Sequence, residues 1–165
     1  NAKGLGCEKT SGDCKRIYKT KLFNCSGEEK SMNVSIRKAE LFDINGFLKL
    51  DKHIAPERLK TVISAGRAFV LENSGQIFGV LRYSLFLPFL DLIYIDPAFQ
   101  RQGFGRTFMA FWEAQMKQEG FCHCLTSTQE DETAKFFYET LGYTKTGAFF
   151  PPEQEALELI YQKTL

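Results

Sequence analysis

Ile93-Tyr94-Ile95-Asp96-Pro97-Ala98-Phe99-Gln100-Arg101-Gln102-Gly103-Phe104-Gly105-Arg106 takes an apolar strand through a polar, glycine-bearing turn straight into a helix. The period changes across it. Phe89 to Ile95 reads as one strand, whereas Phe104, Phe108, Phe111, Trp112 and Met116 share one face of a helix that stops at Gly120. Gly103 and Gly105 lack side chains, so main-chain N–H groups there can approach an anion, and the helix dipole favours negative charge at the same place. Arg101 and Arg106 supply direct charge. The same glycines also suit a tight turn in which they only relieve crowding. The spacing matches neither G-x-G-x-x-G nor G-x-x-x-x-G-K-[ST], which excludes the dinucleotide and P-loop readings.

Upstream, Asn33 to Arg37 reads as a strand, and Leu41, Ile44, Phe47 and Leu48 recur near helical spacing. A second helix starts at Pro56, a residue suited to a first turn. Arg67 to Glu72, the turn Asn73-Ser74-Gly75 and Gln76 to Phe86 form an antiparallel hairpin. Downstream, Phe121 to Ser127 is a strand and Asp131 to Leu141 a helix stopped by Gly142. Tyr143 to Ala148 and Ala156 to Tyr161 close the chain as strands. Strand, two helices, three strands, helix, strand, helix and two strands make a mixed α/β (α+β) sheet of about six to seven strands with about four helices.

A chain of 165 residues with 44% hydrophobic and 25% charged residues buries an ordinary core, which excludes a disordered chain, a fibre and a disulfide miniprotein. Lys plus Arg number 21 against 20 Asp plus Glu, so no basic surface points to nucleic acid or an anionic membrane. Leu85 to Leu90, the longest apolar stretch, contains Pro88 and ends at Asp91, too short to span a bilayer. The expected location is therefore cytoplasmic. Cys7, Cys14, Cys25, Cys122 and Cys124 suit reduced thiols, and the spacing of the first three does not favour zinc, so no metal is expected. Residues 1–31 carry few apolar positions and read as an extension of unassigned role, with Ile17, Tyr18, Leu22 and Phe23 as its one hydrophobic patch; the working domain is 32–165.

Gln100-Arg101-Gln102-Gly103-Phe104-Gly105 resembles the acetyl-CoA signature Q/R-x-x-G-x-G/A of the GNAT N-acetyltransferase family. A second block, Asp131 to Tyr143, is similar to that family's later helix, N-x-x-A-x-x-F-Y-E-x-L-G-F. The resemblance runs from about Met32 to the C-terminus. It implies a GNAT fold in which the strands Phe89 to Ile95 and Phe121 to Ser127 splay apart to form the acetyl-CoA slot. It further implies that Ile93, Tyr94 and Ile95 offer main-chain groups to the pantetheine arm, and that Arg101, Gln102, Gly103, Phe104, Gly105 and Arg106 bind the pyrophosphate.

The implied reaction is direct acetyl transfer from acetyl-CoA to a primary amine, a small molecule or a peptide, in a ternary complex. Tyr138 holds the position of the family's frequent general acid, and a phenol with a reference pKa of about 10 is protonated at neutral pH. Asp91 stands where some members place a carboxylate facing the amine, although an unshifted Asp near pKa 3.9 is a feeble base. Both residues also have plain readings, as interface packing and as a solvent-facing charge. Where other members carry Glu on the later strand this chain has Thr126, and the usual Asn heading the helix block is Asp131, expected to cap that helix. Acceptor contacts are expected among Phe47, Leu50 and His53, Arg82 and Tyr83, and Phe149-Phe150-Pro151-Pro152. The alternative is a noncatalytic CoA-binding sensor or partner module on the same fold, and a homodimer is compatible with either reading.

Overall fold

In the computed structural model, which describes residues 16–23, 29–152 and 154–165, the chain alternates strands and helices around one sheet. Its elements are β1 (Arg16–Phe23), β2 (Glu29–Lys38), a 3-10 turn (Leu41–Asp43), α1 (Ile44–Leu50), α2 (Pro56–Ser64), β3 (Ala68–Asn73) and β4 (Gln76–Tyr83). There follow β5 (Phe89–Ile95), a second 3-10 turn (Pro97–Phe99), α3 (Phe104–Gln118), β6 (His123–Gln129), α4 (Ala134–Thr140), β7 (Thr144–Phe149) and β8 (Glu158–Thr164). The spatial order is β1-β2-β3-β4-β5-β6-β8-β7. The seven expected strands and four helices are all present, and β1 adds an eighth strand paired antiparallel with β2 from Arg16↔Ile36 to Phe23↔Glu29. Cys7, Cys14 and Cys25 lie outside the described residues, as do the side chains of Ile17, Tyr18, Leu22 and Phe23.

Helices cover both faces of the sheet, which is why its central strands read as nearly continuous apolar runs. Phe69 pairs with Leu81 and Val70 with Val80, so alternate residues serve opposite cores. Val70 and Val80 meet Phe47, Leu59 and Ile63 of α1 and α2. Phe69 and Leu81 meet Phe108, Phe111 and Trp112 of α3, with Phe69 edge-on to Phe111 at 5.1 Å. Burying the aromatic stripe of α3, whose Phe108, Phe111 and Trp112 are wholly inaccessible, fixes that helix against β3–β5 and thereby places its N-terminus beside the end of β5.

Every strand pair is antiparallel except β5 with β6, which pair in parallel at only two positions, Phe89↔Leu125 and Leu90↔Thr126. Beyond Leu90 the two strands part. On its other edge β5 stays paired with β4 throughout, but the register moves from Tyr83↔Leu90 to Arg82↔Leu92, so Asp91 is a bulged residue without a partner. The bulge reverses the alternation: Leu90, Ile93 and Ile95 face the α3/α4 core, whereas Leu92 packs against the α1/α2 core. The helix expected from Asp131 begins instead at Ala134, preceded by Thr133 with no side-chain cap, and Asp131 is an exposed loop residue. No helix among the described residues is long and apolar enough to cross a membrane.

Candidate active site at the splay of two parallel strands

The parting of β5 from β6 leaves a slot whose wall is main chain. Asp96 N–H donates to Phe78 O, and in an antiparallel ladder bonded and non-bonded positions alternate. Tyr94 therefore turns its main-chain groups toward Val80 of β4, while Ile93 and Ile95 turn theirs into the slot. The Ile95 carbonyl is engaged by Gln100 Nε2 at 2.8 Å, a bond that folds the following turn back over the strand end.

Arg101 to Arg106 form the mouth of the slot. Asp96 accepts from Ala98 N–H and opens the 3-10 turn, and Gln102 Nε2 donates to Ala98 O. Gly103 then sits in the left-handed region at φ +87° as the residue ahead of α3, and Arg101 shares that region at φ +63°. A non-glycine residue held at positive φ stores strain. The first helical bond is Thr107 N–H to Gly103 O, and the amides of residues 101 to 106 find no acceptor among the described residues. Six successive amides without an acceptor among the described residues thus lead into the positive end of a 15-residue helix. At Gly105 a Cβ would stand 3.4 Å from the Phe137 ring, so that glycine lets α3 close on α4.

Tyr138 stands at the vertex of the splay on the α3/α4 side. It is 6% exposed and packed among Phe137, Tyr143 and Tyr161, with centroids 5.5 to 6.3 Å away. Burial pushes its phenol above the usual range, and the Thr126 side chain beside it opposes part of that rise. Thr126 is itself buried and donates through Oγ1 to Leu90 O at 3.3 Å, across the last paired position of β5 and β6. The position that lacks a carboxylate is therefore the joint of the vertex.

Asp91 faces the other side of the sheet. There a cavity of about 580 Å³ opens between α2, the β4–β5 connection and the start of β5, with His53, Arg58, Arg82, Phe86, Asp91 and Ser127 among its lining. Burial raises the Asp91 carboxyl, against the pull of Arg82 and Arg58. Arg82 is held from behind, its Nε 2.7 Å from Asp51, whose carboxylate is fully buried and also accepts from His53 N–H. Its Nη1 lies 3.5 Å from Asp91.

Tyr138 and Asp91 thus lie on opposite faces of the sheet beside the last β5–β6 pair, and Tyr138 is not among the residues that line the cavity. Of the residues expected near an acceptor, His53, Arg82 and Tyr83 line the cavity, whereas Phe47 is buried in the α1/α2 core, Leu50 packs against that core, and neither Phe149 nor Phe150 lines the cavity. Arg58, Phe86 and Ser127 were not singled out by the sequence. Arg58 looks like any exposed helical cation, and only the turn of α2 brings it over Asp91. Cys122 is exposed and Cys124 buried, its thiol pushed up to about 12 by desolvation.

A protein-family model described as an acetyltransferase (GNAT) domain matches residues 38–154. Among solved structures, a GNAT-family acetyltransferase from Bacillus cereus is 20% identical with a TM-score of 0.66, over 79% of this chain and 96% of that one. The PaiA N-acetyltransferase of Thermoplasma acidophilum, solved in complex with coenzyme A, is 15% identical with a TM-score of 0.68, over 81% of this chain and 100% of that one. A putative acetyltransferase from Salmonella typhimurium, solved with its cofactor acetyl-CoA, is 15% identical with a TM-score of 0.68, over 80% and 94%. No curated protein matches this chain.

Proposed function

The chain belongs to the GNAT acetyltransferase family, and from that premise we propose that it transfers the acetyl group of acetyl-CoA directly to a primary amine in a ternary complex. The observation that supports this reading is the parting of β5 from β6 after Leu90, with six amides at its mouth that find no acceptor among the described residues. In it, the diphosphate rests on the amides of Arg101, Gln102, Gly103, Phe104, Gly105 and Arg106. Ile93 and Ile95 offer main-chain groups to the pantetheine arm, and Tyr94 holds the wall by pairing with β4. The thioester then ends at the vertex, between Tyr138 on one face and the Asp91 cavity on the other.

The amine enters from the cavity, where Asp91 attracts its ammonium form and takes a proton, directly or through water. The raised Asp91 carboxyl is a better base than a solvated one. The amine lone pair attacks the thioester carbonyl carbon, a C–N bond forms, and collapse of the tetrahedral adduct breaks the C–S bond. Tyr138 donates its proton to the departing sulfur, the acetylated nitrogen sheds its extra proton to solvent, and the phenolate regains one from solvent; burial keeps the phenol protonated at neutral pH. The products are the N-acetyl amine and free CoA thiol.

Calorimetric titration with CoA, ATP and an oligonucleotide, followed by a thiol-release assay over a panel of primary amines, tests the reading. Saturable CoA binding and amine-dependent thiol release are expected. CoA binding without release from any amine would favour a sensor module, and oligonucleotide binding without CoA binding would overturn the assignment.

A further inference from the structure

Two arginines and one carboxylate line the Asp91 cavity, and the two arginines differ in company. Arg82 is neutralised by Asp51, which no solvent reaches, and its guanidinium is held in place by that bond and by the approach to Asp91. Arg58 is placed differently. Arg58 is exposed on α2 and has no ion pair among the described residues, yet it lowers the Asp91 carboxyl through space without touching it. Arg58, with no ion pair among the described residues, and the Asp91 carboxylate, whose one ion-pair contact is the 3.5 Å approach of Arg82, therefore line a common space of about 580 Å³. The rest of the lining mixes polar residues, His53, Thr61, Ser84 and Ser127, with apolar ones. Phe86, 87% exposed, and the partly buried Phe89 both line the cavity, giving a surface for an aliphatic or aromatic substituent.

We infer that the acceptor is a zwitterion of the amino-acid class, whose ammonium group sits at Asp91 and whose carboxylate is received by Arg58, with an apolar side chain against Phe86 and Phe89. This rests on the acceptor reading proposed above. A carboxylate there completes Arg58 without displacing Arg82 from Asp51, and a guanidinium can grip it with two parallel N–H donors. A polyamine would instead set a second cation against Arg58, and a plain monoamine would leave Arg58 without a partner. An open cavity of this size accommodates a single amino acid or a short peptide end.

The probes are L-phenylalanine and L-leucine, each against its amide, given to the protein saturated with acetyl-CoA for turnover and with CoA for calorimetric binding. The wild type is expected to prefer each acid over its amide, in binding and in kcat/KM compared at equal concentrations of free amine. Arg58→Ala is expected to lower that preference about tenfold or more, which corresponds to about 1.4 kcal/mol, and Arg58→Lys to restore part of it. Arg58 is an exposed helix position, so these variants should fold, and CoA affinity reports that they have. Equal handling of acid and amide by the wild type, or loss of both alike in Arg58→Ala, overturns the inference while leaving the transferase reading intact. Turnover of no amine, with acid-selective binding retained, overturns the transferase reading and supports the carboxylate site.

Discussion

The two halves of β5 share one backbone and differ in company. Phe89 and Leu90 are flanked by β4 on one edge and β6 on the other, and Leu90 is 2% exposed. From Asp91 to Ile95 only β4 remains, and Tyr94 is 36% exposed. An unpaired strand edge inside a sheet leaves main-chain donors and acceptors without partners, a cost the sheet bears elsewhere only at its rims. The closed half acts as the hinge pin of the fold, and the open half presents a template on which a peptide-like arm completes the ladder. The bulge at Asp91 marks the border and turns the one charged side chain of β5 toward the cavity.

The largest effect is expected at the border. Tyr138→Phe should lower kcat by about 100- to 1,000-fold while CoA affinity by calorimetry stays near the wild type. Full turnover with chemistry limiting would remove Tyr138 from the acid role. In the closed half, Leu90→Ala should cost about 2–5 kcal/mol of stability in chemical denaturation, whereas Tyr94→Ala in the open half should cost far less; equal losses would refute the contrast. At the mouth, Gly103→Val forces a β-branched residue to φ +87°. Backbone strain of about 1–3 kcal/mol predicts CoA binding weakened roughly 5- to 150-fold, with Gly103→Asn milder because Asn tolerates that region. Unchanged affinity in Gly103→Val would break the cradle.

The smallest effect concerns Asp91. Its carboxyl is raised by burial, so the folded state favours the protonated form, and stability present below the unfolded value of 3.8 is lost as pH rises through the folded one. Asp91→Asn should therefore raise the melting temperature at pH 7, by on the order of 1 °C, and not at pH 3, while lowering kcat/KM. In the wild type the acid limb of kcat/KM should lie above the ordinary aspartate range. A melting temperature lowered at pH 7 would show that the pull of Arg82 outweighs burial.

Legibility followed the range of the interactions. The strand-to-helix turn at Ile93 to Arg106 and the stripe Phe104, Phe108, Phe111, Trp112 and Met116 were plain, because glycine chemistry and helical period are local signals. β1 escaped notice because its residues Arg16-Ile17-Tyr18-Lys19-Thr20-Lys21-Leu22-Phe23 mix charge with apolar positions, and its pairing with β2 is a tertiary event. Asp131 was expected to cap a helix that starts three residues later, an error of boundary and not of element. Arg58 and Ser127 carried no signal at all. Thr126 was read as a departure from a carboxylate pattern, and its place under Tyr138, bonded to Leu90 O, emerged only with the pairing of β5 and β6.

Sequence alone determined the alternation of strands and helices, the apolar face of α3 and the glycine turn between β5 and α3, since each depends on residues within a few positions of one another. Tertiary structure decided where β5 leaves β6, the bulge that turns Asp91 toward Arg58 and away from the face of Tyr138, and the cavity that Asp91 and Arg58 both line. Those depend on how far two strands distant in the chain can stay paired while α3 and α4 pack beneath them, a balance of long-range contacts that no local pattern encodes.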